Sequence, residues 1–193
     1  MDKLICIMGK SCTGKDTIYK RLLKNGRLGL KRIVPYTTRP VREGEHDGVE
    51  YHFANESEYQ RLKASGEIIE ERSYNTFHGL WRYFTVNDDN IQNDECNYIV
   101  IGTLESYSAM KRYFGADKVL PVMIELDDGT RLQRALNREK KQQQPKFEEL
   151  CRRFLADSED FAQDKIAEAG ITRSFRNDSL EQCLMEIEEY IRK

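Results

Sequence analysis

The sequence predicts an α/β fold in which a parallel sheet is flanked by helices. Three apolar runs have the length and composition of buried strands: Leu4–Met8, Tyr98–Gly102 and Val119–Leu126. Each run is followed by a segment with apolar residues at helical spacing, and strands that alternate with helices pair in parallel. The first strand leads into a glycine loop, and in such folds ligands bind at the carboxyl ends of the strands. The 193 residues suffice for one domain with a substantial core.

The glycine loop has the spacing Gly-x-x-x-x-Gly-Lys, which is typical of a phosphate-binding loop. Its residues are Gly9, Lys10, Ser11, Cys12, Thr13, Gly14 and Lys15. The two glycines let backbone N–H groups turn inward as an anion nest, and the N-terminus of the next helix faces the same point. Lys15 adds a full positive charge for the β- and γ-phosphates of ATP. The alternative is an ordinary glycine-rich turn with a solvated Lys15, which the flanking strand and helix disfavour.

The position after Lys15 departs from the usual pattern, in which a Ser or Thr hydroxyl binds Mg²⁺. Here that position is Asp16, and Thr17 follows it. Because magnesium prefers oxygen ligands and keeps several waters, either side chain could hold the Mg²⁺ that accompanies ATP. The alternative is that Asp16 is simply an acidic residue in the first turn of a helix, where a carboxylate is favourable.

Composition and charge exclude several classes of function. Charged residues make up 33% of the chain, yet the net charge is only -2, which disfavours a nucleic-acid partner. No run approaches the roughly 18 apolar residues of a membrane-spanning helix, and the N-terminus resembles a core strand rather than a signal peptide. The five cysteines are scattered and form no zinc motif. We therefore expect reduced thiols, a cytoplasmic location, small-molecule substrates and no membrane partner.

The segment after the first helix is predicted to combine a short strand, an ordered loop and a helix. Lys31–Tyr36 has the character of a strand, and the Gly- and Pro-containing stretch that follows lacks helical periodicity. Arg39 and Arg42 lie three residues apart in that stretch, and guanidinium groups bind phosphate oxygens in a bidentate manner. The alternative for them is a solvated charged loop. Glu56–Ser65 has helical spacing, and Glu67–Glu70 has the character of a short strand.

The C-terminal part of the chain is predicted to be mostly helical. Helices are expected over Ser106–Phe114, over 129–136, over 147–169 and after Ser179, with one strand at Ile171–Arg176. Arg134 and Arg138 lie four residues apart and so share one helix face. A polar, non-periodic segment joins the second and third of these helices, so the pair could form a lid whose arginines face inward. The alternative is an amphipathic helix with its basic residues in solvent.

The phosphate loop and the stretch that follows it resemble guanylate kinases. That stretch is Thr37-Thr38-Arg39-Pro40-x-Arg42-x-Gly44-Glu45-x-Asp47-Gly48-x-x-Tyr51-x-Phe53, and a weaker similarity continues to the C-terminus. The resemblance implies a P-loop NTPase kinase fold in a single domain. It implies a core (residues 1–35, 87–133 and 154–193), an acceptor-binding insert (residues 36–86) and a helical lid (residues 134–153). The implied reaction is transfer of the γ-phosphoryl group of Mg-ATP to GMP or dGMP, which yields GDP or dGDP.

The resemblance also implies roles for individual residues. The residues implied to hold the acceptor phosphate are Arg39, Arg42 and Tyr51. Glu70 would bind the guanine base, and Glu45 and Asp47 would orient the arginines or join the metal shell. The residues implied to clamp the ATP phosphates are Arg134, Arg138 and Arg153. Arg152 is a neighbouring alternative to Arg153, and Asn177 would contribute around the adenine.

This chain departs from the guanylate kinase pattern at positions that contact the acceptor. His78 stands where a second tyrosine is usual, so it either binds the acceptor phosphate or is a surface histidine in a loop. Leu80 replaces a hydroxyl residue, and Pro35 lies where a guanine-contacting serine is often found. Thr103 stands where an acidic guanine contact is expected, and Glu105 could substitute for that contact from the next turn.

Two alternatives to a guanylate kinase are compatible with the residues. The first is a kinase of the same fold for another phosphorylated acceptor, such as a different nucleoside monophosphate or ribose 1,5-bisphosphate. Gly-Lys-Asp-Ser/Thr loops occur in ribose 1,5-bisphosphate kinases, and this loop reads Gly-Lys-Asp-Thr. The second is a non-catalytic guanylate-kinase-like module that binds protein partners. Such modules tend to lose the loop lysine and the lid arginines, which this chain keeps.

Overall fold

The structure is a computed structural model that describes residues 1–42, 44–76, 79–88, 91 and 96–192. The strands in these residues are β1 (Leu4–Met8), β2 (Lys31–Arg32), β3 (Tyr36–Thr37), β4 (His52–Phe53), β5 (Ile68–Thr76), β6 (Gly79–Val86), β7 (Tyr98–Ile101), β8 (Val119–Glu125) and β9 (Ser174–Arg176). The helices are α1 (Lys15–Lys24), α2 (Glu56–Ala64), α3 (Leu104–Phe114), α4 (Asp128–Glu139), α5 (Phe147–Asp160), α6 (Gln163–Glu168) and α7 (Leu180–Arg192).

The main sheet contains five strands in the order β2-β7-β1-β8-β9, and every neighbouring pair in it is parallel. All residues of β1 are buried, because helices cover both faces of the sheet. Helices α1 and α7 pack with Ile5 and Ile7 on one face, and α3 and α6 pack with Leu4 and Cys6 on the other. The predicted α/β class, a parallel sheet flanked by helices, is therefore confirmed.

A second, smaller sheet has the strand order β4-β3-β6-β5. Strand β3 pairs in parallel with β4 and antiparallel with β6, and β5 and β6 form an antiparallel hairpin. Helix α2 covers this sheet, because Tyr59 and Leu62 pack with Phe84 and Val86 in a core of their own. The term insert sheet is used from here on for these four strands together with α2. Its core is separate from the clusters that flank the main sheet.

Two strands differ in extent from the sequence-based expectation. The predicted strand Lys31–Tyr36 is divided: Lys31–Arg32 joins the main sheet, whereas Tyr36–Thr37 joins the insert sheet. Pro35 lies at the division, and proline has no N–H to donate to a strand ladder. The strand predicted at Glu67–Glu70 extends instead from Ile68 to Thr76, because β6 pairs with it along that whole length.

Two helices also differ from the expectation. The helix predicted over 147–169 is broken into α5 and α6, because Phe161 is buried in the core and Ala162 is extended, with φ -65° and ψ 150°. Burial of the aromatic ring stabilises this break. Helix α3 begins at Leu104 rather than Ser106, since Thr103 and Ser106 form a capping box that satisfies the first N–H groups.

Two features of the described residues bear on the chain's surroundings. No helix there combines the length and the apolar character that crossing a membrane requires. The five cysteines are free thiols, and Cys6 and Cys183 are buried. Burial raises the pKa of the Cys6 thiol to about 12 and that of the Cys183 thiol to about 11. Both thiols therefore stay protonated, and unreactive as nucleophiles, at neutral pH.

Candidate active site

The glycine loop between β1 and α1 has a backbone that only glycine tolerates at two points. Gly9 has φ 141° and Gly14 has φ 96°, backbone angles that residues with a Cβ rarely adopt. A Cβ on Gly9 would lie 2.3 Å from the Ile124 carbonyl oxygen, and one on Gly14 would lie 2.4 Å from Asn177 Nδ2. The loop is thus wedged between the main sheet and the start of the last helix, which supports its predicted anion-nest geometry.

The side chains of the loop close it internally. Thr13 Oγ1 donates to the Lys10 carbonyl oxygen at 2.9 Å, and Lys15 Nζ donates to the same oxygen at 3.1 Å. Burial lowers the pKa of Lys15, while the nearby carboxylates of Asp16 and Asp157 oppose that shift. The ammonium group therefore lies over the loop, where it can be redirected to a phosphate oxygen without leaving the site.

Asn177 supports the loop from below. It is 4% exposed, and its side-chain amide donates to the Thr13 carbonyl oxygen at 2.7 Å. The resemblance led us to expect this residue near the adenine, and that role stays a prediction. The observed hydrogen bond indicates a structural role for Asn177, because it fixes the Thr13 carbonyl directly before Gly14.

A cluster of charged residues that the sequence analysis missed ties helices α4 and α5 to the loop. The Ser11 N–H donates to Asp157 Oδ2 at 2.7 Å, and Ser11 Oγ donates to Asp157 Oδ1 at 3.2 Å. Arg131 is 1% exposed and donates to the Ser11 carbonyl oxygen at 3.0 Å. It also donates to Asp128 at 2.6 Å, and its guanidinium lies 4.8 Å from the ring centroid of Phe154. Helices α4 and α5 are thereby anchored to the phosphate loop.

No local pattern reveals this cluster in the sequence. Ser11 and Asp157 are 146 residues apart, and Ser11 and Arg131 are 120 apart. The available signal was the spacing of Asp128 and Arg131, which lie three residues apart on one helix and pair there. That spacing predicts an ordinary surface ion pair, so it does not point to the loop.

Two of the predicted lid arginines, the phosphate loop and one arginine of the predicted insert line one cavity of about 690 Å³. Among the residues that line it are Ser11, Cys12, Arg42, Arg138 and Arg153. Arg134 is exposed and lies beside the loop, with its Nη1 3.9 Å from the position that a Cβ on Gly14 would take. Three of the predicted phosphate-binding arginines (Arg42, Arg138 and Arg153) thus face the same space as the phosphate loop.

Glu149 positions the two candidate arginines of α5. Arg152 Nε and Arg153 Nε donate to its two carboxylate oxygens at 2.7 Å and 2.8 Å. These hydrogen bonds lower the pKa of Glu149 to about 2. Arg153 lines the large cavity, so it suits the predicted role better than its neighbour Arg152.

Arg39 is buried and paired with Glu45, which distinguishes it from Arg42. Arg39 is 4% exposed, and its two terminal nitrogens donate to Glu45 at 2.7 Å and 2.6 Å. The Arg42 N–H also donates to Glu45, at 2.9 Å. The hydrogen bond from Arg39 lowers the pKa of Glu45. Glu45 therefore holds the Arg39 guanidinium and the backbone of Arg42, and Asp47 closes the same loop by accepting from the Phe53 N–H at 2.8 Å.

The β5–β6 hairpin carries Glu70, the predicted guanine-binding residue. Glu70 is 5% exposed and accepts a hydrogen bond from Thr85 Oγ1 at 2.7 Å. Arg72, which the sequence analysis did not select, donates to Glu70 at 3.1 Å. His78 lies outside the residues that the structure describes. Leu80 is an exposed residue of β6, so the hydroxyl group expected there has no counterpart.

The other acceptor-side departure, Thr103, is used by the helix that follows it. Its side-chain oxygen accepts from the Ser106 N–H at 3.2 Å and so caps α3. Glu105 is exposed and shares with Glu70 a cavity of about 370 Å³ between α3 and β5. Glu105, the candidate replacement for the missing acidic contact, therefore lies on the same cavity as Glu70.

Asp16 and Thr17 are the candidate metal ligands. Both lie exposed in the first turn of α1, next to the loop that would hold the phosphates. Within the described residues, no group of three or more His, Cys, Asp and Glu is placed to hold a metal ion. Magnesium bound with a nucleotide takes only one or two protein oxygens and completes its shell with phosphates and water. The oxygen donors at the start of α1 fit that mode of binding.

The chain is similar in sequence and fold to guanylate kinases. It is 43% identical over 68 residues to the guanylate kinase of Schizosaccharomyces pombe, a stretch that covers 35% of this chain and 34% of that protein. It is 33% identical over 162 residues to the guanylate kinase of Chlorobaculum tepidum, covering 81% of this chain and 70% of that protein. Matches to two further relatives span 37% and 32% of their length, so the chain covers about a third of these first curated relatives.

A solved structure shows the fold in common. The crystal structure of guanylate kinase from Anaplasma phagocytophilum superposes with a TM-score of 0.64, covering 98% of this chain and 84% of that chain at 20% sequence identity. The sequence model of the guanylate kinase family matches residues 1–193. Together with the phosphate loop and the converging arginines, this match shows that the chain belongs to the guanylate kinase family.

Proposed function

We propose that the protein transfers the γ-phosphoryl group of ATP to GMP or dGMP, which yields GDP or dGDP. The observation that carries the proposal is the shared cavity in which Ser11 of the phosphate loop, Arg42 of the insert and the lid arginines Arg138 and Arg153 meet. Residues 36–86 act as the acceptor-binding insert, residues 134–153 as the lid, and the remaining residues as the core. The insert and the lid thus supply cations to a space that the phosphate loop also lines.

Phosphoryl transfer needs no covalent intermediate on the protein. In phosphoryl transfer, catalysis comes mostly from positioning the two substrates and from neutralising the charge on the transferring group. The backbone N–H groups from Gly9 to Gly14 would hold the ATP phosphates, and Lys15 would contact the β- and γ-phosphates. Arg134, Arg138 and Arg153 would close over the transferring group and exclude water, which would otherwise hydrolyse ATP.

The acceptor would bind on the insert. Arg42 is exposed towards the cavity and would contact the acceptor phosphate directly. Arg39 is buried, but its guanidinium lies 5.0 Å from the Tyr51 ring centroid, so it would support Tyr51 and place positive charge beside the acceptor phosphate. Glu70 would accept from the N–H donors of the guanine base, because a carboxylate only accepts hydrogen bonds.

Magnesium, when bound with ATP, would neutralise charge on the β- and γ-phosphates. Asp16 and Thr17 would hold it through their side-chain oxygens, directly or through water. The proposed location is the cytoplasm, which the free thiols of all five cysteines support.

One observation favours a second candidate, a kinase of the same fold for another phosphorylated acceptor. Glu70 already accepts hydrogen bonds from Thr85 and Arg72, and Thr103 is used as a helix cap. Both features alter the predicted guanine site. An acceptor without a purine, such as ribose 1,5-bisphosphate, would still find the arginines of the insert and the lid.

The deciding experiment measures ADP release in a coupled assay with Mg-ATP and separate acceptors. These are GMP, dGMP, AMP, UMP, CMP and ribose 1,5-bisphosphate. The expected result is a preference of a hundredfold or more for GMP or dGMP, equivalent to about 2.7 kcal/mol of discrimination. Preference for another acceptor would support the second candidate. Binding of ATP without any transfer would reject both and favour a non-catalytic module.

A further inference from the structure

Arg72 is a largely buried arginine of the insert sheet, and the resemblance to guanylate kinases predicts no role for it. Its side chain is 13% exposed, and that of Glu70 is 2% exposed. Arg72 Nε donates to Glu70 Oε2 at 3.1 Å, and Arg72 Nη2 lies 3.5 Å from Glu70 Oε1. Thr85 Oγ1 donates to that same Oε1 at 2.7 Å. The carboxylate proposed to bind the base is therefore fixed in one orientation, with a guanidinium group beside it.

The surroundings of Arg72 put it within the acceptor side of the insert. Glu70, Arg72 and Tyr74 alternate along β5, so they share one face of the hairpin. The Arg72 guanidinium interacts electrostatically with the hydroxyl groups of Tyr51 and Tyr74 as well as with Glu70. Tyr51 in turn lies under Arg39. Arg72 is thus flanked by the residues proposed for the acceptor phosphate and by the residue proposed for the base.

Burial of this pair has a cost that an ordinary structural role would not require. Moving a carboxylate and a guanidinium out of water costs free energy that their mutual attraction only partly offsets, and an apolar pair of similar volume is often as stable. Glu70 nevertheless lines the 370 Å³ cavity between β5 and α3. A carboxylate at the wall of a cavity, with a guanidinium paired to it from the same strand, is suited to a ligand that carries both donors and acceptors.

The order of donors and acceptors on the pair matches guanine. Guanine presents the O6 acceptor next to the N1–H and 2-amino donors, whereas adenine presents a 6-amino donor in place of O6. A guanidinium group only donates and a carboxylate only accepts. Arg72 beside Glu70 therefore complements the guanine edge, whereas adenine would set its amino donor against the donors of Arg72.

We infer that Arg72 is a specificity-determining residue that donates to guanine O6, while Glu70 accepts from N1–H and the 2-amino group. The inference rests on the proposed function, since it concerns the acceptor of that reaction. It also accounts for Thr103: a base read by two neighbouring side chains of β5 leaves the Thr103 hydroxyl free to cap α3.

The test pairs one residue with one atom of the acceptor. The kcat/KM of the wild type and of Arg72→Met is measured with GMP, with IMP, which keeps O6 but lacks the 2-amino group, and with 2-aminopurine riboside monophosphate, which lacks O6. Arg72→Met is expected to lower kcat/KM on the order of thirtyfold for GMP and for IMP, as for loss of a charged hydrogen bond. For the acceptor without O6, the expected loss is under about threefold.

Matched variants keep the result interpretable. Arg61→Met removes an exposed arginine of the same insert, whose side chain is 65% exposed, and should leave all three acceptors unaffected. Arg72→Lys retains the charge beside Glu70, so it is expected to stay folded even if Arg72→Met unfolds, which its urea denaturation checks. It should show the same dependence on O6 with a smaller loss. Glu70→Gln should instead reduce the preference for GMP over IMP.

An equal loss with GMP and with the acceptor that lacks O6 would overturn the inference, because Arg72 would then act only by supporting Glu70. A gain in kcat/KM for GMP would also overturn it, since Arg72 would then obstruct the base. Failure of the proposed function would show in a different measurement, the acceptor assay of the wild type. The wild-type protein would then bind ATP but would not phosphorylate GMP.

Discussion

The proposed donor side and the proposed acceptor side of the site would hold their ligands by different means. In the phosphate loop, the groups proposed to bind anions are backbone N–H groups of consecutive residues, and two glycines with positive φ set their direction. On the acceptor side, the proposed ligands are side chains from separate segments, with Arg39 held by Glu45 and Glu70 held by Arg72. The first arrangement is contained in one short motif, whereas the second exists only after the insert sheet has formed.

This contrast teaches which changes each side tolerates. Substitutions other than proline leave the backbone N–H donors in place, so we expect the loop to be sensitive mainly to changes at its glycines and at Lys15. The acceptor side can change its specificity through single side chains, because each contact comes from a different residue. The predictions below test this contrast, from the largest expected effect to the smallest.

The largest effect is expected on the donor side. Lys15→Ala should lower kcat by about a thousandfold, because the variant loses a charge contact that is strongest when the phosphoryl group is transferred. The measurement is steady-state turnover with Mg-ATP and GMP. Lys20→Ala, an exposed lysine of the same helix, is the control and should be near wild type. Turnover of Lys15→Ala within threefold of wild type would remove this lysine from the proposed role.

A second effect separates support of the loop from catalysis. Arg131→Met should lower the free energy of unfolding by about 3 kcal/mol, because it removes a buried guanidinium that pairs with Asp128 and with Asp157. Urea denaturation measures the change. Arg134→Met, three residues away and exposed, should alter stability by less than about 0.5 kcal/mol while lowering turnover. If both variants destabilised the fold equally, the distinction between an anchoring and a phosphate-facing arginine would fail.

The structure around the phosphate loop was easier to predict from the sequence than the insert sheet, because the loop is one local motif and the insert sheet depends on pairing between separate segments. The main parallel sheet and the phosphate loop follow from local patterns, namely apolar runs, helical spacing and two glycines in a fixed motif. The hairpin of β5 and β6 depends on pairing between strands, and a nine-residue strand was predicted as four residues because its polar second half has no apolar alternation.

Long-range ion pairs set the other limit. Arg131 and Asp157 meet at the loop although both lie more than a hundred residues from Ser11. A role for Arg72 can be inferred only once its contact with Glu70 is known. A charged residue in a helix or strand is usually solvated, so its burial cannot be inferred until its partner is placed. The role given to Arg134 stays a prediction that Arg134→Met tests, and the roles given to Arg138, Arg153 and Asn177 also stay predictions.

A third effect tests the acceptor side directly. Arg42→Ala should raise the KM for GMP on the order of thirtyfold, as for loss of a charged hydrogen bond to a phosphate. The KM for ATP should change by less than about threefold, because Arg42 comes from the insert and not from the loop. Val41→Ala, an exposed neighbour, is the control. Equal increases in both KM values would show that Arg42 serves the donor, and the separation of the two sides would be lost.

The smallest effect concerns the lid helix α5 and depends on pH. Arg152 and Arg153 lower the pKa of Glu149 from 4.5 to about 2. Since this pKa is lower in the folded state, the ion pairs stabilise the fold fully above pH 4.5, and the contribution is lost as the pH falls from about 4.5 towards 2. The Glu149 side chain is 39% exposed, so solvent screening limits the contribution to less than about 1 kcal/mol.

Urea denaturation of the wild type and of Glu149→Gln at pH 7 and at pH 2.5 measures this contribution. The wild type should be slightly more stable at pH 7, and the difference should shrink at pH 2.5 and also in 1 M salt, which screens exposed charges. Turnover should fall modestly in the variant, because Arg153 loses the carboxylate that holds it towards the cavity. A difference in stability that persisted at pH 2.5 would mean that Glu149 acts by packing. The lid would then resemble the acceptor side less, since its arginines would not depend on a paired carboxylate for their orientation.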